Sequence, residues 1–565
     1  MNLFRFLFLS VAIVVASSCN RDEVITADPL PEIILEGDGV YSVMVGEEVR
    51  LAPDYRNAEG AEFEWMINDK VVGTERAYVF SSEEVGEVYI TLTVTTTAGS
   101  DSEEMRIDVT PHDTPAIDIA MEDMTVAVGF KQTIMATVRQ TEEESTVVWS
   151  INDEEVAEGL SLDFVAEEVG RYHIVATAST HHATASDSVT IEVVRAEDLS
   201  LIYEFESSEY HITEDRNLLI APSKLNKSNG VEFVWTLDNE TQEWTKSYYV
   251  FNSDMVGQHQ LEVVATTYIN NTPCVASHTF SIEVIEDGKY RREPTASSSA
   301  VFSRVVEYLP APGQFIGDLK TGGFTGEELT AEDAAAYAER RLRDQNWVSL
   351  GAFGGYIVVT FDHSLANHEG ADIAITGNSF DGSSEPGIVW VMQDENGNGE
   401  ADDTWYELRG SETGLSTTFQ NYEVTYYRPT MPGMAVGWSD NRGGSGTVDY
   451  LASFHNQPFY YPTWVMEDSY TLRGTRLEAR NYDRSGNGSM WVQPAYDWGY
   501  ADNASSVDCL SGVNSLDFAN AIDQLGNPIV LEYVDFVKVQ SAVQAKSGWL
   551  GELSTEVCNF TEITE

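Results

Sequence analysis

"EFEWMIND" at residues 62–69 returns as "TVVWSIND" at 146–153 and "EFVWTLDN" at 232–239. In each copy apolar and polar residues alternate around a tryptophan, the period of a half-buried β-strand. Trp65, Trp149 and Trp235 stand 84 and 86 residues apart. A Val-Gly pair follows each: Val85-Gly86, Val169-Gly170 and Val256-Gly257, with the glycine 21 or 22 residues past the tryptophan. After each glycine comes another alternating run, "EVYITLTVTTT", "RYHIVATAST" or "QHQLEVVATT". This recurrence predicts a small antiparallel β-sandwich used three times. The tryptophan is the expected buried anchor, and the glycine frees the backbone to enter the penultimate strand. The copies span 30–111, 112–195 and 196–287, and "EDGKYRREPTASSSA" (286–300) reads as the linker leaving them, with 288–300 lying beyond the third copy.

Residues 301–565 have another texture, with eight of the twelve tryptophans, many glycines and aromatic doublets. One helix is expected, where Thr330 caps "AEDAAAYAERRLRDQ" with Asp333 three residues on, a capping-box pattern. The rest alternates as strands, as in "GGYIVVTFDH", "GIVWVMQD" and "YVDFVKVQ". The predicted class is therefore all-β: three tandem sandwiches of immunoglobulin or PKD-like type, then a larger jelly-roll-like sandwich with one helix. The Trp and Gly marks of 30–286 resemble the PKD-like and immunoglobulin-like modules of bacterial surface proteins.

Of the 565 residues, 92 are acidic and 32 basic, a formal charge of −60. Such a surface repels phosphate, which excludes nucleic acid as a partner. Hydrophobic content of 42% is globular. The four cysteines (19, 274, 509 and 558) are too few for a disulfide scaffold, though Cys509 and Cys558 are a candidate pair.

At the start, Arg5 and an apolar stretch from Leu3 to Val15 precede Ala16-Ser17-Ser18-Cys19. The stretch fits a signal-peptide core and is short of the roughly 20 residues of a spanning helix. The run resembles the lipobox of bacterial lipoproteins, which implies a signal peptide over 1–18, an acylated Cys19 and a tether over 19–29. Asn20-Arg21-Asp22-Glu23 resembles the signal that sends Bacteroidetes lipoproteins to the outer face of the outer membrane. Asp187-Ser188-Val189 fits the short O-glycosylation sequon of the same bacteria.

The sharpest local motif is Asp394-Glu-Asn396-Gly-Asn398-Gly-Glu400-Ala-Asp402-Asp403. Oxygen side chains at positions 1, 3, 5 and 9, a glycine at 6 and a carbonyl at 7 suit a hard cation, so Ca2+ in a structural role is expected here. The motif departs from an EF-hand, since position 12 is Trp405 and the flanking segments read as a β-hairpin. Aromatic groups are the second signal. Trp405, Tyr406, Tyr460, Tyr461, Trp464, Trp491, Tyr496, Trp498 and Tyr500, with Asn503, are the candidate ligand contacts, and "YDWGYADN" (496–503) is the favoured binding loop. No Gly-x-Ser-x-Gly elbow, His-Glu-x-x-His, P-loop or Gly-x-Gly-x-x-Gly is present, so no catalytic residue is assigned. His181-His182 falls between two strands as a solvated pair, and a glycosidase-like carboxylate pair is not distinguishable among so many acids.

"SLGAFGGYIVVTFDHSL", "ADIAITGNSFDGSSEPGIVWVMQDENGNGEADDTWYEL", "SYTLRGTRLEARNYDRSGNGSMWV" and "YVDFVKVQSAVQAKSGWLGELSTEV" resemble the C-terminal module of Bacteroidetes cell-surface lipoproteins with PKD-like repeats. That resemblance implies nutrient capture beside a TonB-dependent transporter, with a corrinoid of the vitamin B12 type favoured and a glycan next. The expected device is a lipid anchor, a three-bead stalk and a non-catalytic binding head. The alternatives are a calcium-dependent carbohydrate-active enzyme and an adhesin.

Overall fold

The computed structural model describes residues 29–139 and 144–564. The lipobox with Cys19 lies outside the described residues. Among those described, no helix is long and apolar enough to cross a membrane.

Each of the three repeats is a β-sandwich built on a five-stranded sheet. In the first the order is Val40–Met44, Gly99–Thr110, Gly86–Thr96, Glu62–Ile67 and Lys70–Gly73. The second repeats it with Met124–Ala127, Thr184–Val194, Gly170–Ser179, Thr146–Ile151 and Glu154–Glu158. The third does so with Glu209–Thr213, Thr272–Ile285, Gly257–Ile269, Glu232–Leu237 and Glu240–Thr241. In every copy the edge strand joins the last long strand in parallel, while the other pairs are antiparallel.

The tryptophans sit where the sequence put them. Trp65, Trp149 and Trp235 are fully buried. Each indole N–H donates to a backbone carbonyl farther along the chain: Glu75 at 2.8 Å, Gly159 at 2.8 Å and Lys246 at 2.9 Å. The anchor thus fills the core and ties the segment after its own hairpin, so no buried donor is orphaned. The Asn-Asp or Asp-Asn pair after each tryptophan strand turns the hairpin. Asn68 and Asp69, Asn152 and Asp153, and Asp238 and Asn239 all have φ between 48° and 70°. Paired positive φ values mark the two-residue turn whose twist matches that of the strands, and short polar side chains tolerate it best.

The C-terminal region is a larger jelly-roll-like β-sandwich. Its main sheet runs Arg304–Leu309, Tyr356–Ala366, Tyr533–Ser541, Gly387–Met392, Trp405–Leu408 and Ala521–Ile522. Two four-stranded sheets and the helix Ala331–Arg343 complete one continuous apolar core. The helix starts as expected, with the Thr330 side chain on the Asp333 amide and the Asp333 carboxylate returning to Thr330.

The stalk expectation needs correction. The first sandwich belongs to one compact unit ending at Asp113, whereas the second and third belong with the large sandwich to another, Thr114–Glu565. From the second sandwich, Asp118 accepts from the Thr430 amide at 2.9 Å and its hydroxyl at 2.6 Å, and Glu122 accepts from Ser469 at 2.9 Å. Gly437 leaves room for Ala120, because a Cβ there would overlap it. From the third, the Thr213 amide and hydroxyl both donate to Glu395 Oε1 at 2.8 Å. Arg216 donates to Gln393 and lies 3.5 Å from Glu395. Thr213, Arg216 and Glu395 are all buried by this contact. These two sandwiches are therefore part of the head, and not beads on a string.

The candidate pair Cys509 and Cys558 forms no disulfide, and both thiols are free. The sheet order explains why. Cys509 lies in one edge strand (Cys509–Leu510) of a four-stranded sheet, and Cys558 immediately precedes the opposite edge strand, Asn559–Glu562. Three inter-strand spacings of about 4.8 Å place them roughly 14 Å apart, twice the reach of a disulfide.

Candidate functional site

A cavity of about 370 Å³ opens in the large sandwich. The turn after the first strand of the main sheet supplies Gln314 and Phe315, and the exit from the helix supplies Trp347. A loop contributes Phe454 and His455, and the C-terminal segment contributes Trp549, Glu552 and Glu556. Glu385 enters from the loop ahead of Gly387–Met392. Phe454 and Trp549, 59% and 46% exposed, pair at the mouth with ring centroids 5.9 Å apart. Farther in, Phe315 packs edge-on against Trp347 at 5.0 Å and His455 at 4.6 Å. The imidazole is held by Asp318, 3.0 Å from Nδ1.

Carboxyl groups lie at the floor: Glu385 and Glu556 line the cavity, and Asp502 stands against them without lining it. Among the described residues, Glu385, Asp502 and Glu556 bring one oxygen each within 4.8 Å of one another. Asp502 is the fixed member: Oδ1 accepts from the amides of Asn378 at 2.9 Å and Ser379 at 2.8 Å, and Oδ2 from that of Glu556 at 2.9 Å. The Asp502 carbonyl in turn accepts from the Glu385 amide at 3.0 Å. Glu385 is only half-buried, because one side of it opens to the cavity. Burial raises all three carboxyls above the ordinary range; the charge of Asp502 adds to this at Glu385, and Glu385 and Asp502 both add to it at Glu556. Glu552, in the wall, is pushed up to about 7 by burial. Rings at the rim and oxygen acceptors below suit a small ligand that is apolar on its faces and rich in hydroxyl or cationic donors at its edges.

Most of the aromatic residues singled out from sequence lie elsewhere. Tyr406, Tyr460, Tyr461, Trp464, Tyr496, Tyr500 and Asn503 are buried, so they face protein and offer no surface to a ligand. Their polar atoms largely brace loops: Tyr496 donates to the Glu478 carbonyl at 2.6 Å, Tyr500 accepts from the Glu412 amide at 2.9 Å, and Tyr460 donates to the His455 carbonyl at 2.8 Å. Asn503 closes the "YDWGYADN" turn on itself, bonding both the amide and the carbonyl of Tyr496 at 2.9 Å. That loop reaches the cavity only at second hand, through Asp502, whose carboxyl lies beside those of Glu385 and Glu556. Trp405, Trp491 and Trp498 are partly exposed, and none of them lines the cavity; Trp405 lies under the Lys538 ammonium at 4.2 Å.

The 394–403 loop joins the antiparallel strands Gly387–Met392 and Trp405–Leu408, as expected of a hairpin. Asp394 accepts from the amides of Gly397 at 2.7 Å and Gly399 at 3.0 Å. The amide groups of Asn396 and Asn398 both donate to Asp402, at 3.0 Å each, and Asn396 also reaches Asp403 at 3.2 Å. Glu400 contributes its backbone, its amide donating to Asn398 Oδ1 at 2.7 Å. Burial pushes Asp403 up to about 8. Asp394 thus caps backbone amides, while the two asparagines present donors to the Asp402 and Asp403 carboxylates.

Residues 31–96 match the model of the PKD-like domain. No curated protein matches the chain. Among solved structures, a three-domain I-band fragment of titin aligns at 14% identity over 46% of this chain and 99% of its own, with a TM-score of 0.20. The three N-terminal domains of the bacteriophage RB49 Highly Immunogenic Outer Capsid protein align at 13% over 45% and 100%, with a TM-score of 0.23. Fibronectin(III)-like modules of Clostridium thermocellum CbhA align at 15% over 32% and 99%, with a TM-score of 0.17. The repeats are PKD- or immunoglobulin-like sandwiches.

Proposed function

We propose that the protein is a lipid-anchored lipoprotein of the outer-membrane surface, of the Bacteroidetes type, whose large sandwich captures a nutrient for a TonB-dependent transporter without transforming it. The residues around Cys19 support the anchor. The observation that carries the binding role is the cavity with Phe454 and Trp549 at its mouth and the Glu385, Asp502 and Glu556 carboxyls beneath. Its volume of about 370 Å³ is at the small end for ligand pockets. A sugar unit or two fits within it, whereas a corrinoid would have to rest across the mouth. The glycan reading is therefore preferred over the corrinoid one. The 394–403 loop is assigned a structural Ca2+, with the asparagine amides turning their oxygens to the ion.

Titration calorimetry of the full chain with a panel of mono- and oligosaccharides, and with cyanocobalamin, tests the assignment. Binding of a saccharide that Trp549→Ala weakens at least tenfold supports it. Saccharide binding untouched by Trp549→Ala and Phe454→Ala, or no saccharide binding at all, overturns it. The closeness of Glu385 and Glu556 favours a second reading, in which one attacks the anomeric carbon of a glycoside while the other protonates the departing oxygen and then activates water to release the sugar. Release of reducing ends from the bound glycan, abolished by Glu385→Gln, would select that reading.

A further inference from the structure

We infer that Glu385, Asp502 and Glu556 hold a calcium ion at the floor of the cavity, open on one side to the ligand. The inference deepens the capture reading, since the ion would face the captured molecule, but the ion site itself stands on separate observations. The first is the donor set. Three carboxylates meet within 4.8 Å, and no lysine, arginine or histidine is ion-paired with any of them among the described residues. Their hydrogen-bond partners are backbone amides, the Asn378 side chain, 3.4 Å from Glu556, the Ser554 side chain at Glu556, and one another, since the Glu385 and Glu556 carboxyls are hydrogen-bonded together. Gathering like charges away from water is unfavourable unless a proton or a cation offsets them, and this fold brings no base; without an ion, Glu385 and Glu556 hold together by sharing a proton, which a cation would displace.

The second observation is unused acceptor capacity in the same place. Glu552, 5% exposed and in the wall of the same cavity, spends Oε1 on the Gln314 amide at 2.7 Å, while Oε2 is buried with no partner in the protein. Ser379, whose amide holds Asp502, is likewise buried with its hydroxyl unpartnered. Natural structures rarely leave such oxygens unmatched. An ion with its water shell supplies what both lack.

The third observation is rigidity combined with access. Asp502 is pinned by three amides, so one ligand is pre-oriented, whereas Glu385 is half-buried in the cavity wall with its carboxyl against that of Glu556. An all-oxygen set with no imidazole or thiolate selects a hard cation. The irregular geometry and the open side suit calcium, which accepts six to eight oxygens at flexible angles, better than octahedral magnesium. The open positions would be filled by water or by vicinal hydroxyls of the ligand.

The test uses the full chain, with terbium luminescence and calcium calorimetry. Because the 394–403 loop is a separate candidate, Asp402→Ala is the background in which the cavity site is measured. One calcium bound per chain in that background, with affinity reduced at least tenfold by Glu385→Gln, supports the inference. Glu385→Gln is preferred to Asp502→Asn because Asp502 holds three backbone amides through its side chain, and circular dichroism checks the fold of the variant. Unchanged calcium binding in Glu385→Gln, or none in the Asp402→Ala background, overturns it. Saccharide binding that persists in EDTA would remove the ion while leaving the capture reading intact. Calcium binding without any saccharide binding would do the reverse.

Discussion

Replacing Glu395 by alanine should loosen the third sandwich from the large one. Glu395 is 1% exposed and accepts from both donors of Thr213 at 2.8 Å, with Arg216 3.5 Å away. The substitution leaves a buried amide and a buried hydroxyl without an acceptor, at about 1–3 kcal/mol each. Loss of a partner for a buried arginine costs about 3–5 kcal/mol when nothing replaces it. Here Asp287 at 3.2 Å and Gln393 remain on Arg216, so most of that second term is spared. Burial also opposes the charge of Glu395 and raises its pKa to about 7, which offsets part of the loss. The net expectation is about 3 kcal/mol, or roughly two orders of magnitude in the local opening constant. Hydrogen exchange of the Thr213 amide reads this directly, with Val263 in the core of the same sandwich as reference. Glu395→Gln, which keeps an acceptor and removes the burial of charge, should cost about 1 kcal/mol or less. The reasoning fails if Thr213 keeps its protection in the alanine variant, or if Val263 loses as much.

Trp149→Ala should destabilise the second sandwich by about 3–5 kcal/mol, measured by urea unfolding, because a fully buried ring and its bond to Gly159 are lost together. Glu407 is buried, with its pKa raised to about 7 by desolvation despite the 2.6 Å bond from Thr475. The folded state keeps this proton to higher pH than the unfolded chain. Its contribution is therefore fully present below about pH 4.5 and lost as pH rises through about 7. Glu407→Gln should flatten that slope and gain up to about 3 kcal/mol at pH 8 in denaturation curves, and an unchanged slope would refute the assignment. Calcium at a hundred times its dissociation constant should stabilise the chain through the 394–403 loop by about 2.7 kcal/mol; in Glu385→Gln that gain should persist, and in the further variant Asp402→Ala it should vanish. Alkylation of the unfolded, unreduced protein should label Cys274, Cys509 and Cys558 alike, and a protected pair would contradict the strand order.

The sandwiches were legible because their signals are local. A tryptophan in an alternating strand, a turn-forming pair after it and a glycine one hairpin on all lie within some twenty residues. The helix was legible for the same reason, since Thr330 and Asp333 are one turn apart. The docking contacts were not. Asp118, Thr213 and Arg216 are polar residues on strands or turns, and nothing within a few positions says that a carboxylate or a hydroxyl from hundreds of residues away will cover them. The cavity floor was hidden by the same distance, with Glu385 and Asp502 drawn from two loops and Glu556 from the short strand Glu556–Val557, among 92 acids. The one usable hint was that Asp502 sits inside the aromatic turn already singled out. The rings drew attention there, although their burial makes them the frame and their acidic neighbour the working part.

Three copies of one core do not amount to three interchangeable parts. The second sandwich meets the large one through Asp118, Glu122 and the close approach of Ala120 to Gly437. The third uses Thr213 and Arg216 against Glu395 and Gln393. Exchanging those two repeats would preserve every tryptophan and every turn yet leave both seams mismatched. Duplication or deletion of either one should likewise be poorly tolerated during evolution. The smallest fragment worth expressing for ligand work therefore begins near Thr114, since one cut at residue 300 would strip two faces of the binding module bare.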